Sequence, residues 1–317
     1  PSRPCTPGFR AAPQTRENAA MTEDLSGAPV AEVTDARESL VGATKVRRAL
    51  PMRHRRTVGP WCFEDHMGPT HVTPTAGLDV GPHPHIGLQT VTWLTEGEIL
   101  HKDSLGTEQL IRPGQVNLMT AGTGVVHSEE ATGSYAGRLQ GVQLWVAQPE
   151  ATRHTEPAFE HHATLPITEL GNSDATVITG TFEAHISPAR QDWASVGVEG
   201  RLRTGRSVWP LNPEFEHGLI VVEGEVRVGE QILTPGKFAY YAPGISELPL
   251  DAREPAVVLL VGGKPFAEQV LIWWNLVART AAEIDDAYDG WRNGSIGNVD
   301  TTLPAMPTPV PPWRGVT

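Results

Sequence analysis

Cysteine is nearly absent from this 317-residue chain, with only Cys5 and Cys62 present. Cys5 falls in a leader without strand or helix pattern, which argues against a structural disulfide and fits a reducing compartment. Cys62 lies in Trp61-Cys62-Phe63, apolar text that predicts a packed side chain rather than a redox-active thiol. No cysteine is placed for a thiolate zinc site either. Long apolar runs are also missing: 256–261 and 270–274 are too short to cross a bilayer. The first twenty residues lack the apolar core of a secretory signal, and Met21 is a candidate natural start. Finally, there is no basic excess. A formal net charge of −12 opposes a nucleic-acid backbone, so no direct nucleic-acid partner and no membrane partner are expected. One local exception, Arg47, Arg48, Arg53, Arg55 and Arg56, reads as the outward face of an early strand.

What is plentiful is punctuation. The 32 glycines and 28 prolines sit largely in turn-like pairs between short apolar runs, as in Arg112-Pro113-Gly114 and Thr234-Pro235-Gly236. Thr90-Val91-Thr92-Trp93-Leu94 and Val116-Asn117-Leu118-Met119 have strand composition, and Gly141 to Val146 alternates as a half-buried strand does. One helix is expected near the end, with Thr280 and Glu283 as a capping box, Ile284, Tyr288 and Trp291 on one face, and Gly294 as its stop. The length allows two domains with separate cores. The expected order is a flexible leader (1–37), a metal-binding barrel (38–148), a patternless linker (149–166) carrying His161 and His162, a metal-free barrel with the helix (167–300) and an extended Pro-rich tail (301–317).

An internal repeat supports two barrels. Thr95-Glu96-Gly97-Glu98 is echoed by Val222-Glu223-Gly224-Glu225, and Pro113-Gly114 with Gly122 by Pro235-Gly236 with Gly244. Two copies of one small antiparallel barrel explain the echo.

Four residues carry the candidate chemistry. Side chains at i and i+2 of a strand share a face, so His83-Pro84-His85 projects two imidazoles together and His127-Ser128-Glu129 projects an imidazole and a carboxylate. Two such strands make one four-ligand site. Counting through the repeat, the second copy offers Pro210, Asn212, Pro249 and Asp251 instead, so the histidines are not demanded by the fold. Three imidazoles and one carboxylate with open positions suit Fe(II), Mn, Ni or Cu.

Gly59-Pro60-Trp61, Asp65-His66-Met67-Gly68-Pro69, Pro82-His83-Pro84-His85 and Met119 to Gly122 leading to His127-Ser128-Glu129 together resemble the pirins of the cupin superfamily, with Gln143 to Val146 continuing the match. The resemblance is strong over about residues 40–150 and looser beyond. It implies an all-β fold of two tandem cupin (double-stranded β-helix, or jelly-roll) barrels with a short C-terminal helix. It also implies one metal, usually iron, on His83, His85, His127 and Glu129, with Zn a further alternative, in a cytoplasmic protein expected to be monomeric. Family members include quercetin 2,3-dioxygenases. The activity implied is oxidation of a small aromatic or enol substrate by O₂, with Glu129 either remaining ligated or acting as general base. The alternative from a different class is a non-enzymatic, iron-dependent regulator that docks on a transcription factor or metabolic enzyme through a patch such as the arginine cluster. A sugar-isomerase-type bicupin is a third reading, without an evident basic constellation for a phosphate. The acidic residue of the wider superfamily motif is replaced by Gln89, and His66 and His101 are read as structural.

Overall fold

The computed structural model describes residues 31–42, 44–74 and 76–315. Met21 and Cys5 therefore lie outside the described residues, as does most of the expected leader. The part of that leader that is described, β1 (Glu32–Asp35), is a strand.

The first half runs β2 (Arg37–Val41), β3 (Thr44–Leu50), β4 (Trp61–Val72), β5 (Val80–His85), β6 (Leu88–Glu96), β7 (Ile99–Asp103), β8 (Glu108–Ile111), β9 (Val116–Thr120), β10 (Val125–Glu130), β11 (Gly137–Ala147) and β12 (Ala158–His162). The second runs β13 (Ile167–Leu170), β14 (Ser173–Phe182), β15 (His185–Ile186), β16 (Ser195–Leu202), β17 (Gly205–Pro210), β18 (Glu216–Glu223), β19 (Val226–Val228), β20 (Gln231–Leu233), β21 (Lys237–Tyr241), β22 (Glu247–Ala252) and β23 (Ala256–Gly263). A hairpin of β24 (Leu271–Trp273) and β25 (Leu276–Ala278) and helix α1 (Ala281–Arg292) follow.

Each half is a large sheet facing a small one. The order β12-β9-β6-β11-β4-β3-β2 faces β5-β10-β7-β8, and β1-β21-β18-β23-β16-β14-β13 faces β17-β22-β19-β20. The two orders correspond strand for strand, which is the duplication the repeat predicts. The echoed glycines share a cause: Gly97 and Gly224 both hold positive φ at a hairpin, a conformation glycine adopts without a Cβ penalty. Among the described residues, hydrogen bonds close the sheets of neither half into one ring; the faces are joined by packing.

The stretch 149–166, which has no sequence pattern, contains β12, a strand added antiparallel to the edge of β9. β1 fills the matching edge of the other half by pairing with β21. Both large sheets thus have a former edge covered, and the chain's first described strand belongs to the second barrel.

The two large sheets pack back to back. Their shared core joins Trp61, Val91, Trp93, Val142 and Leu144 of the first half to Ile178, Ile220, Val222, Leu259 and Val261 of the second. This core, common to both halves, is added to a separate one in each; that of the first half gathers Leu78, Val80, Leu94 and Ile111. Polar groups lock its borders: Trp93 Nε1 donates to Glu199 Oε2 (2.9 Å), Trp61 Nε1 to the Gly262 carbonyl (2.9 Å) and Gln140 Nε2 to the Val222 carbonyl (2.8 Å). The second barrel has its own core around Trp209, Leu219, Leu248 and Leu250.

The helix begins at Thr280, whose side chain accepts from the Glu283 amide, and buries Ile284, Ala287 and Tyr288. Trp291 is only half-buried and donates to Thr308 of the tail. The tail lies along the first barrel, where the Met306 amide donates to the Pro82 carbonyl (3.0 Å). Cys62 is fully buried, and burial pushes its thiol up to about 12, consistent with an inert packing residue. Among the described residues no helix is long and apolar enough to cross a membrane.

Two outcomes follow from the seam. Leu259→Ala, on the second half's side, should cost about 2–5 kcal/mol and shift one cooperative transition reported by probes in both halves; a first half unfolding at its old midpoint would contradict the shared core. Glu64 points away from Phe63 and Asp65, and burial, with the like charge of Asp65, raises its carboxyl to about 8. The folded state then holds a proton that the unfolded state releases above about 4.5, so this group's contribution falls as pH rises to about 8. In urea titrations the stability of Glu64→Gln relative to the unsubstituted chain should grow by about 1.4 kcal/mol per pH unit over that window and level off above it.

Candidate metal centre

β5 and β10 pair antiparallel with His83 opposite His127 and His85 opposite Val125. The register shifts between His127 and Glu129, so that Glu129 faces Val80 and Gly81 with Pro82 stands opposite the single residue Ser128, one residue in excess. A bulge of this kind re-aims the side chain beside it. Here the His83 Nδ1 donates to the Gly81 carbonyl at 2.9 Å. His85, His83 and His127 are 1%, 6% and 2% exposed, and one nitrogen of each lies within 4.8 Å of the others. Glu129 stands outside that 4.8 Å group but lines the same cavity.

The hydrogen bonds behind each ring fix its tautomer. A carbonyl accepts only from N–H, so the 2.8 Å contact of His85 Nδ1 with the Asn275 carbonyl protonates Nδ1 and leaves Nε2 bare. The Gly81 carbonyl does the same for His83. His101 Nε2 donates to Asp103 Oδ2 (3.2 Å), leaving His101 Nδ1 to accept from His127 Nδ1 (3.4 Å). All three Nε2 lone pairs therefore converge.

Burial holds His83 down at about 4, with His101 adding and the Gly81 carbonyl opposing. It drives His85 and His127 well below the ordinary imidazole value, reinforced by their neighbours. Burial raises the Glu129 carboxyl, opposed by His101 and Thr92. His85 Nε2 and His127 Nε2 are 3.0 Å apart. Two bare nitrogens this close repel unless a cation lies against both, and two bonds of about 2.1 Å at a right angle span such a gap. The donor set fits a transition metal.

Above the histidines the cavity, about 220 Å³, has mostly apolar and aromatic walls that include Phe63, Met67, Leu78, Trp145, Trp274 and Met306. Phe63 and Trp145 stack with centroids 3.9 Å apart. Arg48 lies over Phe63 at 4.5 Å and grips Asp65 with two 2.6 Å bonds. Trp274 holds φ +53°, a left-handed conformation that costs a non-glycine residue about 1–2 kcal/mol. That strained turn presents the indole to the cavity and the Asn275 carbonyl to His85.

The residues singled out by sequence divide sharply. His101, read as structural, packs on Phe159 and sits directly behind His127. His66 lies elsewhere, against Arg47 and Gln140, where burial and then Arg47 push it down to about 3. Gln89 shares its strand face with Val91 and Trp93 and donates to Thr120, away from the cavity. His161 contacts Asn117 Oδ1 (2.7 Å) and His162 contacts Glu160 (3.0 Å). Of the arginine cluster, Arg47, Arg48 and Arg55 are engaged within the fold, Arg55 lying over the Tyr240 ring, so an outward arginine face reduces to Arg53 and Arg56. Asn275, Trp274 and Met306 were not legible from sequence, because contacts made across such long separations leave no local pattern.

The second half's counterpart needs a one-residue correction. Trp209 pairs with Leu248, and Ser207 with Leu250. These are the inward positions, whereas Pro210, Pro249 and Asp251 are half-buried and Asn212 is exposed. Trp209 and the two leucines fill the barrel where the first half keeps its histidines.

The Pirin family matches residues 43–146, and the Pirin C-terminal cupin domain matches residues 197–297. A Pseudomonas aeruginosa protein named "Putative quercetin 2,3-dioxygenase" is 40% identical over 286 residues, covering 89% of this chain and 90% of its own length. A "Pirin-like protein" of Caulobacter vibrioides is 38% identical over 270 residues, covering 83% and 93%. A crystal structure titled quercetin 2,3-dioxygenase from Acinetobacter baumannii superposes with a TM-score of 0.86 at 40% identity, covering 89% of this chain and 96% of that one. With both of its barrels matched and these relatives aligned over most of their length, the chain belongs to the pirin family of the cupin superfamily.

Proposed function

We propose that the chain is a metal-dependent dioxygenase acting on a flavonol or a related enol, with His83, His85, His127 and Glu129 holding one divalent transition metal, Fe(II) first among Fe, Mn, Ni, Cu and Zn. The observation that carries this reading is the convergence of three bare, buried imidazole nitrogens beneath an aromatic cavity. The names of the Pseudomonas and Acinetobacter relatives support the substrate class.

The bound cation would act as a Lewis acid toward a deprotonated enol oxygen and raise its reactivity toward O₂. The protein's own groups do the rest. Phe63, Trp145 and Trp274 offer apolar walls to a flat ring, and the small cavity volume favours a ring-sized ligand over a peptide. Glu129, within the same cavity, takes the hydroxyl proton as the enol enters, a role that needs its carboxylate to come off the cation. The Asn275 carbonyl and the His101–Asp103 pair hold His85 and His127 in the tautomers that bind. The engagement of Arg47, Arg48 and Arg55 within the fold removes much of the charged patch that a docking role would use.

Protein purified without metal supplementation should carry about one equivalent of transition metal per chain by elemental analysis, and should bleach flavonol absorbance under air. A chelator should abolish the bleaching and added metal restore it; a failure with all five metals removes the proposal. Among variants, His85→Ala and His127→Ala should lose the metal. Glu129→Gln should keep measurable metal while turnover falls about 10²–10⁴-fold, and unchanged turnover in that variant would remove Glu129 from proton transfer.

A further inference from the structure

The interior of the second barrel is largely apolar, and His217 and Tyr241 are among its inward polar side chains that lack a hydrogen-bond partner among the described residues. His217 precedes Leu219 and Val221 on the inward face of β18. Tyr241 of β21 stands directly across the ladder from it. Side chains opposite one another in an antiparallel pair share a face about 5 Å apart. His217 is 1% exposed and Tyr241 0%, yet neither the His217 Nδ1 nor the Tyr241 hydroxyl has a hydrogen-bond partner among the described residues. Buried polar groups are nearly always paired, so two orphans on one face mark a place built to be completed from outside.

A cavity of about 350 Å³ opens at His217, with Phe182, Phe215, Leu211, Leu260 and Asn212 among its walls. It shares no lining residue with the histidine cavity of the first barrel. Glu183 is in its lining, and no lysine or arginine is. A phosphate or carboxylate would meet no counter-charge there and one like charge. Burial holds His217 down at about 4 and raises Tyr241, so both are uncharged at neutral pH and each offers a hydrogen bond without requiring an ion.

We infer that this end of the second barrel binds a small, uncharged, hydroxyl-bearing aromatic molecule, a simple phenol in chemical class, whose hydroxyl bonds to His217 and whose ring packs on Phe182 and Phe215. Tyr241 stands opposite His217 on the ladder but does not line the cavity, so the hydrogen bond falls to His217. The barrel that lost its metal positions to Trp209 and two leucines thus keeps a ligand site of different chemistry. The inference does not depend on any activity of the first barrel.

The probe is 4-bromophenol, soaked into or co-crystallised with the full chain, its bromine located by anomalous scattering and its affinity measured by calorimetry. The expected result is a bromine peak in this cavity with the phenol oxygen at hydrogen-bond distance from His217. His217→Phe, which keeps a ring but removes both nitrogens, should weaken binding here about tenfold or more. Asn212→Trp, an exposed rim substitution that leaves His217 and Tyr241 in place, should remove the peak while the chain stays folded, with a small fall in melting temperature from the lost turn bond to the Glu214 amide. 4-Bromobenzoate should not enter. A bromine peak confined to the first barrel, an ordered water on His217 that the probe does not displace, undiminished affinity in both variants, or equal occupancy by the benzoate would each overturn the inference.

Discussion

The back-to-back seam between the two large sheets is the constraint from which the rest follows. A strand in such a sheet has no free face: one set of side chains enters its own barrel and the other enters the seam. In β6, Val91 and Trp93 lie in the seam while Thr92 reaches Glu129 inside the barrel. A slip of one residue would send tryptophan into the histidine cavity and threonine into the seam. The packing that stabilises the molecule therefore also fixes which side chains can meet at the centre. The Trp93–Glu199 and Trp61–Gly262 bonds tie that register to the partner barrel.

The centre itself shows how backbone carbonyls orient imidazoles. A free imidazole has two equivalent choices of proton position; the Gly81 and Asn275 carbonyls leave His83 and His85 only one. Burial keeps the rings neutral, and the hydrogen bonds aim the bare nitrogens. His101 and Asp103 extend the same logic to His127 through a second ring. The hairpin turn at Trp274 and Asn275 closes this arrangement from the far end of the chain, and its left-handed backbone persists because the surrounding packing holds it.

Duplication has been used asymmetrically. The strand order is kept, and so are the glycines at the hairpins, because turns need positive φ in both copies. What changed is the inner face of two strands. In the first barrel β5 and β10 place three histidines and Glu129 there; in the second, β17 and β22 place Trp209, Leu248 and Leu250. The second barrel consequently has apolar side chains where the first gathers its imidazoles.

Spacing alone determined much of this. The i, i+2 alternation of a strand places His83 with His85 and His127 with Glu129 on shared faces, and the Glu-Gly-Glu and Pro-Gly echoes reveal two barrels, because both signals are local. The same local counting missed by one residue in the second copy, where register is set by the partner strand rather than by distance along the chain. Only the tertiary structure decided that the patternless stretch after the first barrel supplies an edge strand, that His101 belongs behind the centre and His66 does not, and that Asn275 holds a ring 190 residues away in sequence. Those are contacts between segments whose individual sequences carry no record of one another; they come into being only when burial of the common seam fixes how the sheets lie together.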